Sequence, residues 1–183
     1  MRTTLLLLTA AVTLTPMAGC GESKSPTSSD AASSVGLSAA SGLPSEVQLE
    51  NAGTTLAGSN GREVDVNDER ITGYIEKAVV NGDELDISGW AAHTDLSSPA
   101  IGVAALVDDK SVRLVRLKEA RPDLVRKHGS EGLASAGFAL SVPVSALDCG
   151  RPDGDLEVYA GIRGAAAPLA WRSAAREAVE RVC

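Results

Sequence analysis

Aromatic side chains are scarce: the 183-residue chain has two Trp, two Tyr and one Phe. All five (Tyr74, Trp90, Phe138, Tyr159 and Trp171) lie in its later part. A stretch without them cannot bury enough apolar surface to offset its ordering entropy, so residues 21 to about 62, rich in Ser, Ala, Gly and Thr, are expected to form a disordered tether. Histidine is rarer still, with only His93 and His128, and neither stands at zinc-ligand spacing from a cysteine. Positive charge is in deficit: the formal net charge of −7 argues against nucleic acid and against electrostatic attachment to an anionic membrane. No apolar run is long enough to span the roughly 30 Å hydrocarbon layer of a bilayer. The chain also lacks a G-x-S-x-G elbow, an H-E-x-x-H helix, a P-loop and a G-x-G-x-x-G turn. Asp108-Asp109 and Asp153-Gly154-Asp155 have no EF-hand spacing and read first as turns. No catalytic set, metal site or cofactor is expected.

The first residues, by contrast, carry a recognisable order. Arg2 supplies a minimal positive region, Leu5 to about Leu14 forms a short apolar stretch, and Pro16 breaks it before Met17-Ala18-Gly19-Cys20. This resembles the signal peptide of bacterial lipoproteins. The resemblance implies removal of residues 1–19, a diacylglyceryl thioether on Cys20 and an acylated amino group. It places the protein in a bacterial cell envelope, lipid-anchored and facing the periplasm. Gly21, where an Asp would retain it, resembles lipoproteins sorted to an outer membrane, if the organism has one. An ordinary signal peptide with an A-x-A-like site and an uncleaved anchor are the alternatives. With Cys20 assigned to lipid, Cys149 and Cys183 remain in an oxidising compartment, where paired thiols form disulfides. Closing that loop would contribute about 3–4 kcal/mol in the chain-entropy model; two unrelated thiols are the other reading.

From Glu63 to Cys183 the texture changes to short apolar runs split by turns. Ile71–Val80 leads to Asn81-Gly82, a hairpin signal, and then to alternating Leu85-Asp86-Ile87-Ser88. A turn centred on those two residues would set Lys77 opposite Asp86 but would put Glu76 in the phase of Ile87, leaving a bulge or longer loop open. Further strands are expected around Ile101–Val107, Val112–Leu114, Phe138–Val142, Leu156–Ile162 and Leu169–Trp171. Pro122 suits the first position of a short internal helix ending at Gly129, and Ser173 a cap for a C-terminal helix through Val182. Six or seven short strands without a βαβ rhythm predict an all-β fold, a single small β-sandwich over residues 63–183.

Within it, Gly73, Gly89-Trp90-Ala91, Arg121-Pro122-Asp123-Leu124 and Gly137-Phe138 come in order. The pattern resembles a small β-sandwich module attached to bacterial glycosyltransferases and other cell-surface proteins, and implies a fold and an envelope setting without naming an activity. Trp90 and Arg121 are its candidate ligand contacts, a platform and a clamp for carboxylate or phosphate; the structural alternative makes Trp90 a core anchor and Arg121 part of a loop. Alternation puts Leu85, Ile87 and Gly89 on one face and Trp90 on the other, so a buried Trp90 is expected to need a bulge at Gly89. The leading functional reading is a non-catalytic binding or structural module whose partner is an envelope protein or glycan. A small envelope hydrolase using His93, Asp95 and Asp123, and an inhibitor or immunity-type lipoprotein, stand beside it.

Overall fold

A computed structural model describes residues 43–147 and 156–182. Cys20, Cys149, Cys183 and Asp153-Gly154-Asp155 lie outside them. The described chain is all-β with two short helices: strands β1 (Val47–Glu50), β2 (Thr55–Gly58), β3 (Glu63–Asp65), β4 (Ile71–Asn81), β5 (Glu84–His93), β6 (Gly102–Val107), β7 (Lys110–Arg116), helix α1 (Pro122–His128), β8 (Gly137–Pro143), β9 (Glu157–Ile162), β10 (Ala165–Pro168), β11 (Ala170–Trp171) and helix α2 (Ser173–Glu180). A large sheet has the order β10-β9-β6-β7-β1-β2-β3 and a small one the order β11-β4-β5-β8. The large sheet curls until its ends meet, where Val66 bridges Ala166 and the Asn67 amide donates to the Ala166 carbonyl at 2.7 Å. It is thus a nearly closed barrel with the small sheet packed on one side.

This arrangement makes three apolar clusters. The main one lies between the sheets and includes Ile75, Leu85, Ile87, Val103, Ala105, Phe138, Leu140 and Val142. The second, with Leu56, Ala104, Leu106, Tyr159 and Ala166, fills the barrel. Strand β6 serves both through alternate side chains, so all six of its residues are buried. Tyr159 keeps its hydroxyl satisfied there by donating to Glu157 Oε2 at 2.8 Å; burial first, then that carboxylate, pushes its pKa up. The third cluster lies on the outer face of the small sheet.

The fold class expected from the sequence is found, with more strands than expected. The chain enters the large sheet at Val47, ahead of Glu63: β1 pairs with β2 and β7, and β2 with β3. These strands are short and are separated by turns that carry Gly53, Gly58 and Gly61, so Val47 and Leu49 allow only a brief strand in the sequence and Leu56 joins no visible run. The alanines of β10 escape notice for a similar reason, having little β propensity of their own.

The β4–β5 hairpin also differs. Asn81 pairs with Glu84 and the two-residue loop is Gly82-Asp83, with Gly82 at φ 63. Lys77 therefore lies opposite Ser88, and Asp86 opposite Val79. The β6–β7 loop is Asp108-Asp109, both with positive φ (49 and 64), which suits the twist of a two-residue hairpin. Pro122 opens α1 and Gly129 closes it at φ 69, its amide donating to the Val125 carbonyl. In α2, Arg172 rather than Ser173 occupies the cap position, and no side chain caps the helix; Ala175 and Val179 hold it to the main core.

Candidate functional site

The residues singled out in the sequence come together on the outer face of the small sheet. Strand β4 contains one extra residue: Ile75 pairs with Gly89, then Lys77 with Ser88, which leaves Glu76 as a bulge. Alternation counted back from Ala78 would aim Glu76 into the main core, and alternation continued from Ile75 would aim Lys77 there. The bulge lets Ile75 and Ala78 stay buried while Glu76 and Lys77 are both exposed. The bulge is thus on β4 and not at Gly89, because the strand with a charge in the wrong phase is the one that must shed a residue from the ladder.

Glu76 meets Arg121. The guanidinium sits between two carboxylates, with Nε 2.9 Å from Asp123 Oδ1, Nη2 2.7 Å from Asp123 Oδ2, Nη1 3.0 Å from Glu76 Oε2 and Nη2 3.3 Å from Glu76 Oε1. All three nitrogens are engaged and the side chain is 14% exposed. Arg121 is therefore a fastener joining the segment before α1 to the bulge, not an open clamp for an anionic ligand. Gly137 makes room for it: a Cβ there would lie 2.8 Å from the Glu119 carbonyl oxygen and 3.0 Å from Arg121 Cγ.

Trp90 keeps the phase that alternation assigns it, since β5 pairs with β8 through Ser88↔Ala139, Gly89↔Phe138 and Trp90↔Gly137 without a break. The bulge expected to turn the indole inward is absent. The side chain is buried all the same, 6% exposed, because α1 and the turn after it cover that part of the outer face. Leu124, Leu133, Ala136 and Ala92 pack with it, flanked by Leu96 and Val125. Apolar area on one α-helical turn thus replaces water over the indole. Tyr74 continues the row outward, its ring centroid 6.0 Å from that of Trp90, and the Arg172 guanidinium lies 4.8 Å from the Tyr74 centroid.

Gly89 and Gly73 are required by close approach. A Cβ on Gly89 would lie 2.1 Å from the Tyr74 carbonyl oxygen and 2.9 Å from Phe138 Cζ; one on Gly73 would lie 2.3 Å from the Trp90 carbonyl oxygen. The glycines of the motif thus let strands and rings meet across the small sheet.

The hydrolase candidates form no hydrogen-bonded set among the described residues. Asp95 Oδ1 accepts from the Ser97 amide at 3.0 Å and from Ser97 Oγ at 2.7 Å, forming a turn, and these bonds, with a smaller electrostatic pull from the His93 ring, hold its carboxyl below the ordinary range. Asp123 is held by Arg121. No hydrogen bond or ion pair joins the His93 ring to a carboxylate among the described residues. No group of three or more His, Cys, Asp or Glu side chains able to hold a metal occurs among them either.

The Arg121 bonds, with a smaller Coulombic contribution, lower the Asp123 pKa from 3.8 to about 2. The folded value is depressed, so the stabilisation is present above about pH 3.8 and is lost as pH falls through about 2. Asp123→Asn should flatten that acid limb, read as the difference in melting temperature between pH 4 and pH 2 at low salt. An unchanged limb would mean that the pair contributes nothing to folding.

Comparisons with protein-family models, curated proteins and solved structures find no match for this chain.

Proposed function

We propose that the protein is a lipid-anchored lipoprotein of a bacterial cell envelope, whose β-module acts by binding or by supporting an assembly rather than by catalysis. The observation that carries this reading is the order of Arg2, the short apolar stretch, Pro16 and Ala18-Gly19-Cys20. Two or three acyl chains on one residue, each contributing about 0.8 kcal/mol per buried methylene, would hold a water-soluble module durably at a membrane. The non-catalytic reading is supported by the way Asp95, Arg121 and Asp123 are committed to turns and fasteners. The partner in this reading is an envelope protein or glycan, reached by loops and sheet surfaces. The likeness of the Gly89-Trp90, Arg121-Pro122-Asp123 and Gly137-Phe138 pattern to modules of cell-surface proteins points the same way.

A Cys149–Cys183 disulfide belongs to this proposal. Leu147 and Val182, described residues close in sequence to the two cysteines, pack against the same inter-sheet core.

In the native host, the wild-type protein should fractionate with membranes and incorporate labelled fatty acid, and Cys20→Ala should lose both properties while remaining folded. A folded Cys20→Ala variant that stays with membranes would contradict the lipid anchor. The same extract, digested without reductant, should yield the Cys149 and Cys183 peptides as one linked pair.

A further inference from the structure

The outer face of the small sheet carries, besides the Trp90 cluster, an open groove of about 540 Å³. Its lining includes Lys77 of β4, Asp86 and Ser88 of β5, Ala139 and Ser141 of β8, and Arg113 of β7. In a chain of net charge −7, the two cations there are conspicuous. Lys77 and Arg113 are exposed, and neither forms an ion pair or hydrogen bond among the described residues. Asp86, the acidic group of the lining, is already occupied: Ser141 Oγ donates to Oδ1 at 2.6 Å and Asn81 Nδ2 to Oδ2 at 3.4 Å.

Geometry limits what such a groove accepts. Lys77, Ser88 and Ala139 form one cross-strand row, and Arg113 belongs to the other sheet. Neighbouring strands lie about 4.8 Å apart, so the backbone positions of Lys77 and Ala139 are roughly 10 Å apart along the row. Cations set on β4 and β7, with β5 and β8 beside them in the lining, suit a chain bearing repeated acidic groups better than one small anion. The backbone N–H and C=O groups of β5 are spent in the plane of the sheet, so the groove floor offers side chains. An extended peptide that docks by adding a strand uses backbone groups and finds none on this floor. The Ser88 hydroxyl, with the acceptor capacity that Ser141 Oγ and the Asn81 amide oxygen keep while both side chains donate to Asp86, suits the hydroxyls of sugar rings.

We infer that this groove binds an acidic oligosaccharide, with Lys77 and Arg113 contacting separate carboxylates. The inference rests on the reading of the chain as a binding module and names the class of its ligand.

The test is calorimetric titration of the full detergent-solubilised chain with a uronic-acid hexasaccharide, a neutral glucose hexasaccharide and a hexaglutamate peptide. The uronic-acid chain should bind, more weakly as salt rises, and the other two should not. Lys77→Gln and Arg113→Gln should each weaken binding roughly tenfold, the low end for a hydrogen bond to a charged group, and the double variant should lose it. Lys110→Gln, a cation outside the groove lining, should bind as wild type. All variants should keep the wild-type melting temperature, because neither groove cation is paired. Absence of binding, salt-independent binding, full binding by the double variant, or equal binding of the neutral sugar or the peptide would each overturn the inference. If the uronic-acid chain fails while Cys20→Ala still frees the protein from membranes, the groove assignment falls and the envelope reading stands. If the groove titration succeeds but Cys20→Ala stays membrane-bound, the anchor falls and the groove stands.

Discussion

Trp90→Ala should destabilise the domain by about 3–5 kcal/mol, the usual cost of truncating a buried aromatic side chain. The indole is 6% exposed and is the largest member of the cluster that joins α1 to the small sheet. Its removal leaves Leu124, Leu133 and Ala136 facing a void that a helix of seven residues, fixed at both ends, closes only in part. Denaturant unfolding followed by circular dichroism measures the effect, with a fall in melting temperature of roughly 10 °C or more. A variant with wild-type stability that no longer bound an envelope ligand would make Trp90 a recognition residue instead.

Gly89→Ala, a change of one methyl group, should cost about as much, around 3 kcal/mol, the upper end of the range for overpacking. The new Cβ would stand 2.1 Å from the Tyr74 carbonyl oxygen and 3.1 Å from Ile75 Cα. Those are backbone atoms of the neighbouring strand, held by the β4–β5 ladder, so no side-chain rotation relieves the clash. The Phe138 ring, 1% exposed, blocks movement toward the core. Gly161→Ala is the control, since a Cβ there meets nothing within 4 Å and leaves the clash term out. Equal stability of the two variants would mean that close packing at Gly89 is not what requires glycine.

Those two residues also show how much of the protein was legible in its sequence. Alternation in Leu85–Ser88 and the turn residues between apolar runs gave the all-β class, because a period of two survives in any strand with one buried face. Pro122 and Gly129 marked the ends of α1, because their backbone constraints are intrinsic. The phase of Trp90 was legible as well, but its cover was not. Burial on that face depends on where α1 returns in space, which local pattern does not encode, and so a buried Trp90 calls for a bulge at Gly89 in the sequence where the structure has none. The real bulge had a local signal, the phase change between Ile75 and Ala78 that brackets Glu76 and Lys77; the Glu76 partner Arg121 lies 45 positions away and could be found only from the fold. Val47 and Leu49 allow a brief strand in the sequence, where β1 is found, but β2 and β10 were hidden because short Ala- and Gly-containing segments become strands only by pairing with neighbours already in place. The cations Lys77 and Arg113 carried no signal in the sequence, since nothing local shows that two charges on different sheets share one groove.

The central structural claim is that Trp90 and Arg121 serve the fold, by fastening the α1 segment over the small sheet, and are not themselves the binding surface. Hydrogen exchange on Arg121→Ala tests it most directly. The account predicts faster exchange confined to the α1 segment, including Val125 and Gly129, whose amides donate to the carbonyls of Arg121 and Val125. Amides of β4, β5 and β8 should keep most of their protection, because the main core lies on the other face of that sheet. Wild-type protection across α1 in the variant would contradict the claim and return Arg121 to the list of residues available to a ligand.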